Sequence, residues 1–194
     1  MKDFLSLLEQ LGMLLINPRY SILLALLLAA SISDCRSYKI PNWLTFGGSA
    51  FALIYSFFIP FSPQFGLGWS LGGFSLGLSL VLPLYMLGMM GAGDVKLMAM
   101  VGAFVGITHT LYVVLFVFVT GGITSLAYAI WHQSLQRLAS NIKLALSTLL
   151  FSTMGGLRPQ MTPMDKESIG KLPYAVSIFL GTTAFLIAHQ WVTA

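Results

Sequence analysis

What most limits the fold open to this chain is a succession of apolar runs too long and too poor in charge for a water-soluble protein. Residues 18–34 read PRYSILLALLLAASISD, and runs of similar character occupy about 42–60, 69–90, 94–107, 109–131 and 173–193. A helix that crosses a bilayer needs ~20 predominantly apolar residues, and fewer where the protein thins the membrane. Hydrophobic residues make up 57% of the 194 positions and charged residues only 8%, with a mean hydropathy of +0.85. That is too little charge to cover a soluble surface. The expected fold is an all-α polytopic membrane protein of about six transmembrane helices, a single membrane-embedded domain spanning 1–194. The lipid bilayer is then the solvent for most of the surface. The ten basic residues, giving a net charge of +4, are scattered over several loops. They make no stripe that would bind nucleic acid.

Two further segments are read as non-spanning. Residues 4–16, within a leading stretch 1–17, are expected to form a helix lying at the membrane surface. The sequence Asn17-Pro18-Arg19 that follows offers no small-residue cleavage site of the secretory kind. The run 142–154 is short for a span and carries Lys143, which favours an interfacial or re-entrant piece of a polar segment 132–172. Cys35 is the one cysteine, so neither an intrachain disulfide nor a zinc ribbon can form.

With six spans the loops alternate between the two faces. One face receives Arg36, Lys39, Lys96, Arg137, Lys143, Arg158, Lys166 and Lys171; the other receives Lys2 and Arg19. The positive-inside rule makes the first face cytoplasmic, which puts both termini on the non-cytoplasmic side.

Of the six acidic residues, Asp3 and Glu9 precede the first span, and Asp165 and Glu167 lie in the polar loop 155–171. Only Asp34 and Asp94 abut apolar spans, and alternation places both at the cytoplasmic face. A charged carboxylate at mid-span costs ~2.5–3.5 kcal/mol on insertion scales, and less towards the interface, so such residues are functional candidates. Two aspartates meeting in a partly dry site share a proton and titrate as a unit. One can activate water as a general base while the other, protonated, polarises a carbonyl. That chemistry needs no metal, cofactor or nucleophilic side chain. The same pair could instead form a proton or ion relay in a small transporter or channel, or pair with Arg36 and Lys96.

Gly91 and Gly93 flank Ala92 immediately before Asp94. Such glycines give room for an extended peptide to approach, or simply break or closely pack a helix. After Asp94, the small residues Ala99, Gly102, Ala103 and Gly106 recur at three- and four-residue spacing, a face suited to tight helix packing. A span wedged in that way would hold Asp94 inside the bundle.

These stretches resemble a known family. GAGDVKL, residues 91–97, is similar to the GxGD motif of the type IV prepilin peptidases, aspartyl proteases of bacterial inner membranes. DCRSYKIPNWLT, residues 34–45, resembles that family's first-aspartate motif, and KLPYAVSI, residues 171–178, resembles the opening of its last span. The resemblance implies that Asp34 and Asp94 are the catalytic pair. It implies a prepilin or pseudopilin substrate, cut on the cytoplasmic side after a short basic leader, and no cofactor. Larger members carry an additional domain with paired cysteines linked to methylation of the new pilin terminus. This chain looks like the compact members that serve tight-adherence (Flp-type) pili, so N-methyltransferase activity is not expected.

Around the pair, Lys96 and Arg36 read as interfacial anchors or as cations that steer an acidic part of the substrate. Pro41 and Asn42 read as the start of the second span, with Pro at the helix start and Asn as its cap. Asn42 and Tyr174 are also candidates for substrate contact. The string GFSLG, residues 73–77, resembles a serine-nucleophile elbow. No histidine is placed to serve it, and Gly73 and Gly77 read more simply as a packing face. His109, His132 and His189 lack metal-ligand spacing.

Overall fold

The computed structural model describes residues 17–59, 66–87, 90–131 and 173–193. Their regular elements are all helical: α1 (Pro18–Ser37), α2 (Asn42–Phe58), α3 (Leu67–Met86), α4 (Ala92–Val105), α5 (Ile107–Trp131) and α6 (Tyr174–Thr193). Among the described residues three stretches are long and apolar enough to cross a membrane: α1, α3 and Ile107–Ala127 of α5. Tyr174–His189 of α6 is a shorter apolar helix. The expected surface helix at 4–16 and the run 142–154 lie outside the described residues.

Local chemistry sets the ends of α1. The Asn17 side chain accepts the Arg19 N–H at 3.2 Å, and Pro18 occupies the first turn, where its missing N–H costs nothing. At the other end Tyr38 takes the left-handed conformation (φ 50, ψ 35) and donates its N–H to the Asp34 carbonyl at 2.8 Å. The Ser33 and Ser37 hydroxyls donate to the Lys39 carbonyl at 2.9 and 3.4 Å, which holds this turn closed.

The expected role of Asn42 as a helix cap is not what the structure shows. Pro41 is the N-cap of α2, in an extended conformation, and its carbonyl accepts the Leu44 and Thr45 N–H groups at 3.1 and 3.4 Å. Proline's fixed φ already sets up the helix start. Asn42 is the first helical residue, and its side chain is free for another partner.

α4 is the core of the bundle. From Asp94 to Val105 every residue but Lys96 is buried. α3 crosses it at glycines: a Cβ on Gly73 would collide with the Gly102 carbonyl oxygen, and one on Gly102 with that of Gly73. A Cβ on Gly77 would come within 2.7 Å of the Met98 carbonyl oxygen. The small-residue face of this span and the packing role of Gly73 and Gly77 are thus borne out, and Ser75 between them is exposed. Gly106 ends α4 with φ 75, and the Trp69 ring fills the space where a side chain would stand. α6 packs on α5 as closely: a Cβ on Gly181 would lie 2.6 Å from the Val117 Cα. Thr120 donates to the Ser177 carbonyl at 2.9 Å and Thr124 meets the Ser177 hydroxyl at 2.7 Å. Large apolar side chains point outward instead, among them Leu28, Ile32, Ile54, Phe57, Leu111 and Phe118. An outward apolar surface of that kind suits lipid.

Candidate functional site

Three helix ends meet at one end of the bundle. The last turn of α1 carries Asp34, the first turn of α4 carries Asp94, and the first turn of α6 carries Tyr174 and Ala175. Both aspartates are buried, Asp34 7% and Asp94 8% exposed. Buried carboxylates need donors, and each has a backbone one. Ala175 donates its N–H to Asp34 Oδ2 at 3.1 Å, and Gly91 donates to Asp94 Oδ2 at 3.2 Å. The Ser31 hydroxyl, one turn before Asp34, donates to the Ala175 carbonyl at 3.1 Å and ties the start of α6 to α1.

The two carboxylates lie near enough for the Asp34 charge to act on Asp94. The Tyr174 phenol is within electrostatic reach of Asp94. The opening of α6 therefore touches Asp34 through a backbone N–H and places a phenol within electrostatic reach of Asp94.

The stretches around the two aspartates also grip each other. A Cβ on Gly93 would lie 3.3 Å from Ile40 Cβ, so this glycine lets the loop after Asp34 pack against the helix that bears Asp94. Lys96 Nζ donates to Asn42 Oδ1 at 2.9 Å and lies 5.1 Å from the centroid of the Phe46 ring. Ile40, Asn42, Gly93 and Lys96 thus clamp the loop 38–41 and the start of α2, where Pro41 is the N-cap, to the start of α4. Gly91 has a separate role, because a Cβ there would crowd Asp94 Oδ2 at 3.1 Å. Arg36 is exposed in the last turn of α1, where a cation suits the helix dipole, and among the described residues it joins none of these contacts.

Sequence reading singled out the two aspartates but not the Ala175 N–H that donates to Asp34. A backbone donor leaves no mark in residue type. The available signal was Pro173 at the start of an apolar run, which announces a helix N-terminus with free N–H groups. Among the described residues no group of three or more His, Cys, Asp or Glu side chains is placed to hold a metal ion. The arrangement offers two buried carboxylates, donors for each, and a phenol.

Searches of curated proteins and of solved structures returned no match. The profile described as the Type IV leader peptidase family matches residues 21–126, more than half of the chain, a stretch that contains both aspartates and the clamp between them. The chain is a membrane protein that belongs to the Type IV leader peptidase family, and so to the proteases.

Proposed function

We propose that this protein is an aspartyl endopeptidase that cuts the leader of a prepilin or pseudopilin at the cytoplasmic face of a bacterial inner membrane, using Asp34 and Asp94. The observation that carries the reading is a pair of buried carboxylates, each held by a backbone N–H and within electrostatic reach of each other, at one end of an apolar bundle. All six helices cross or enter the membrane in one domain, and the polar segment 132–172 lies in the cytoplasm. The placement of eight of the ten basic residues on the aspartate side supports that orientation.

In the reaction one carboxylate removes a proton from water, whose oxygen attacks the scissile carbonyl carbon. The other, protonated, gives its proton to the carbonyl oxygen. The tetrahedral intermediate then loses the leaving amine as the C–N bond breaks. A proton passes to the amine nitrogen, and the pair returns to holding a single proton. The substrate's apolar stem stays in lipid beside the bundle. The reading includes no methylation of the new pilin amino terminus, because paired cysteines accompany that activity in the larger members and Cys35 is the one cysteine in these 194 residues.

Co-expression with a prepilin tests this reading. Asp34→Asn and Asp94→Asn each remove a titrating group with little change in shape. Each is expected to lower leader cleavage by about 10³-fold or more while the protein still inserts in the membrane. Near wild-type processing by either variant would remove the pair from the mechanism.

A further inference from the structure

The end of the bundle opposite the aspartates carries an unexplained charge. Arg19 lies fifteen residues before Asp34 on the same helix, roughly 22 Å along its axis. It is only 2% exposed. Its Nη2 donates to the Ser56 hydroxyl near the end of α2, while its Nη1 is buried with no hydrogen-bond partner. The guanidinium carbon lies 5.5 Å from the Tyr55 ring centroid and 5.1 Å from that of Trp69. No carboxylate among the described residues neutralises it. It sits at the N-terminus of α1, whose dipole adds positive potential. Asp34 and Asp94, the only carboxylates among the described residues, are both at the other end. The remaining ionisable side chains nearby on the packed elements are Tyr20, Tyr55, His109 and His189, and none of them brings an anion at neutral pH.

A buried cation with an unmade hydrogen bond and no counter-charge is strongly unfavourable. Guanidinium matches phosphate better than it matches any neutral acceptor. The flanking tyrosine and tryptophan are the residues typical of the depth at which lipid phosphates lie. We propose that Arg19, with Ser56, Tyr55 and Trp69, forms a phosphate-binding site at this end of the bundle, for a phospholipid headgroup or free phosphate. Because Nη1 is closed off, the phosphate oxygen enters as one of the flanking rings swings aside, and Ser56 keeps Nη2 in place meanwhile. The site is independent of the peptidase reading, since it needs only that the helices lie in a membrane.

Thermal unfolding of the full chain, delipidated in maltoside micelles, tests the proposal. Phosphatidylglycerol added to the micelles is expected to raise Tm by about 3 °C or more, and Arg19→Met to abolish that increment. A rise with inorganic phosphate but not with chloride at equal ionic strength would assign the site to the free anion. A rise only with the lipid would assign it to the headgroup. If Arg19→Met does not fold, Arg19→Lys keeps the charge and loses the fork. It is expected to weaken the phosphate response about tenfold in the concentration required. Two results overturn the proposal: no rise with either phosphate probe in the wild type, or an unchanged rise in the folded Arg19 variant.

Discussion

Asp34 and Asp94 persist in an apolar bundle because each carboxylate accepts a backbone N–H, from Ala175 and Gly91 respectively. Their rarity made them legible in the sequence, since every other acid falls in a polar or terminal segment. Their donors were not legible, because any residue supplies an N–H and only the fold decides where it points. Asn42 was misread for a related reason: a capping side chain at a helix start is a local expectation, and a tertiary partner, Lys96, took it instead. If the pair works with one carboxylate charged and one protonated, the rate falls both where the two are protonated and where the two are ionised. A bell-shaped pH dependence of kcat/KM for prepilin cleavage is the expected outcome. Tyr174→Phe removes the phenol hydroxyl near Asp94 and keeps the ring. It is expected to lower kcat several-fold with KM little changed, since the hydroxyl dipole lies within electrostatic reach of Asp94 but makes no hydrogen bond to it. The Lys96–Asn42 bond is exposed. Lys96→Gln is therefore expected to change stability by less than about 1 kcal/mol in detergent unfolding.

Among the helices, α4 carries the most constraint, being buried on nearly every side and crossed by α3 where backbone touches backbone. The small residues that permit this were visible as a periodic pattern along 99–106. Their partners, Gly73 and Gly77, could be named as a packing face, but the register of one helix on the other could not be read. Register depends on which carbonyl meets which Cα, and spacing within one strand of sequence carries no such pairing. Gly102→Val puts a side chain against the Gly73 carbonyl. It is expected to destabilise the bundle by about 1–3 kcal/mol or more, seen as a lower Tm. Helix starts and stops were more legible, because Pro18, Pro41, Gly91, Gly106 and Pro173 punctuate the apolar runs.

At the scale of the molecule, α4 has 14 residues and is about 21 Å long, against ~30 Å of hydrocarbon. At least one of its ends must lie inside the apolar layer if it stands across the membrane. In the proposed reaction, an aspartate at such an end can reach a peptide bond whose substrate stem stays in the lipid. The orientation proposed above has a direct handle in Cys35, the lone cysteine, which is exposed next to Asp34. A membrane-impermeant maleimide is expected to label it in inverted vesicles and not in right-side-out ones; the reverse pattern would place the aspartates outside. The most direct measurement is the mass of the products when purified protein meets a prepilin. A leader fragment and a pilin with an unmodified amino terminus are expected, both absent when Asp34 and Asp94 are replaced together by Asn. Continued cleavage by the doubly substituted protein would contradict the aspartyl mechanism.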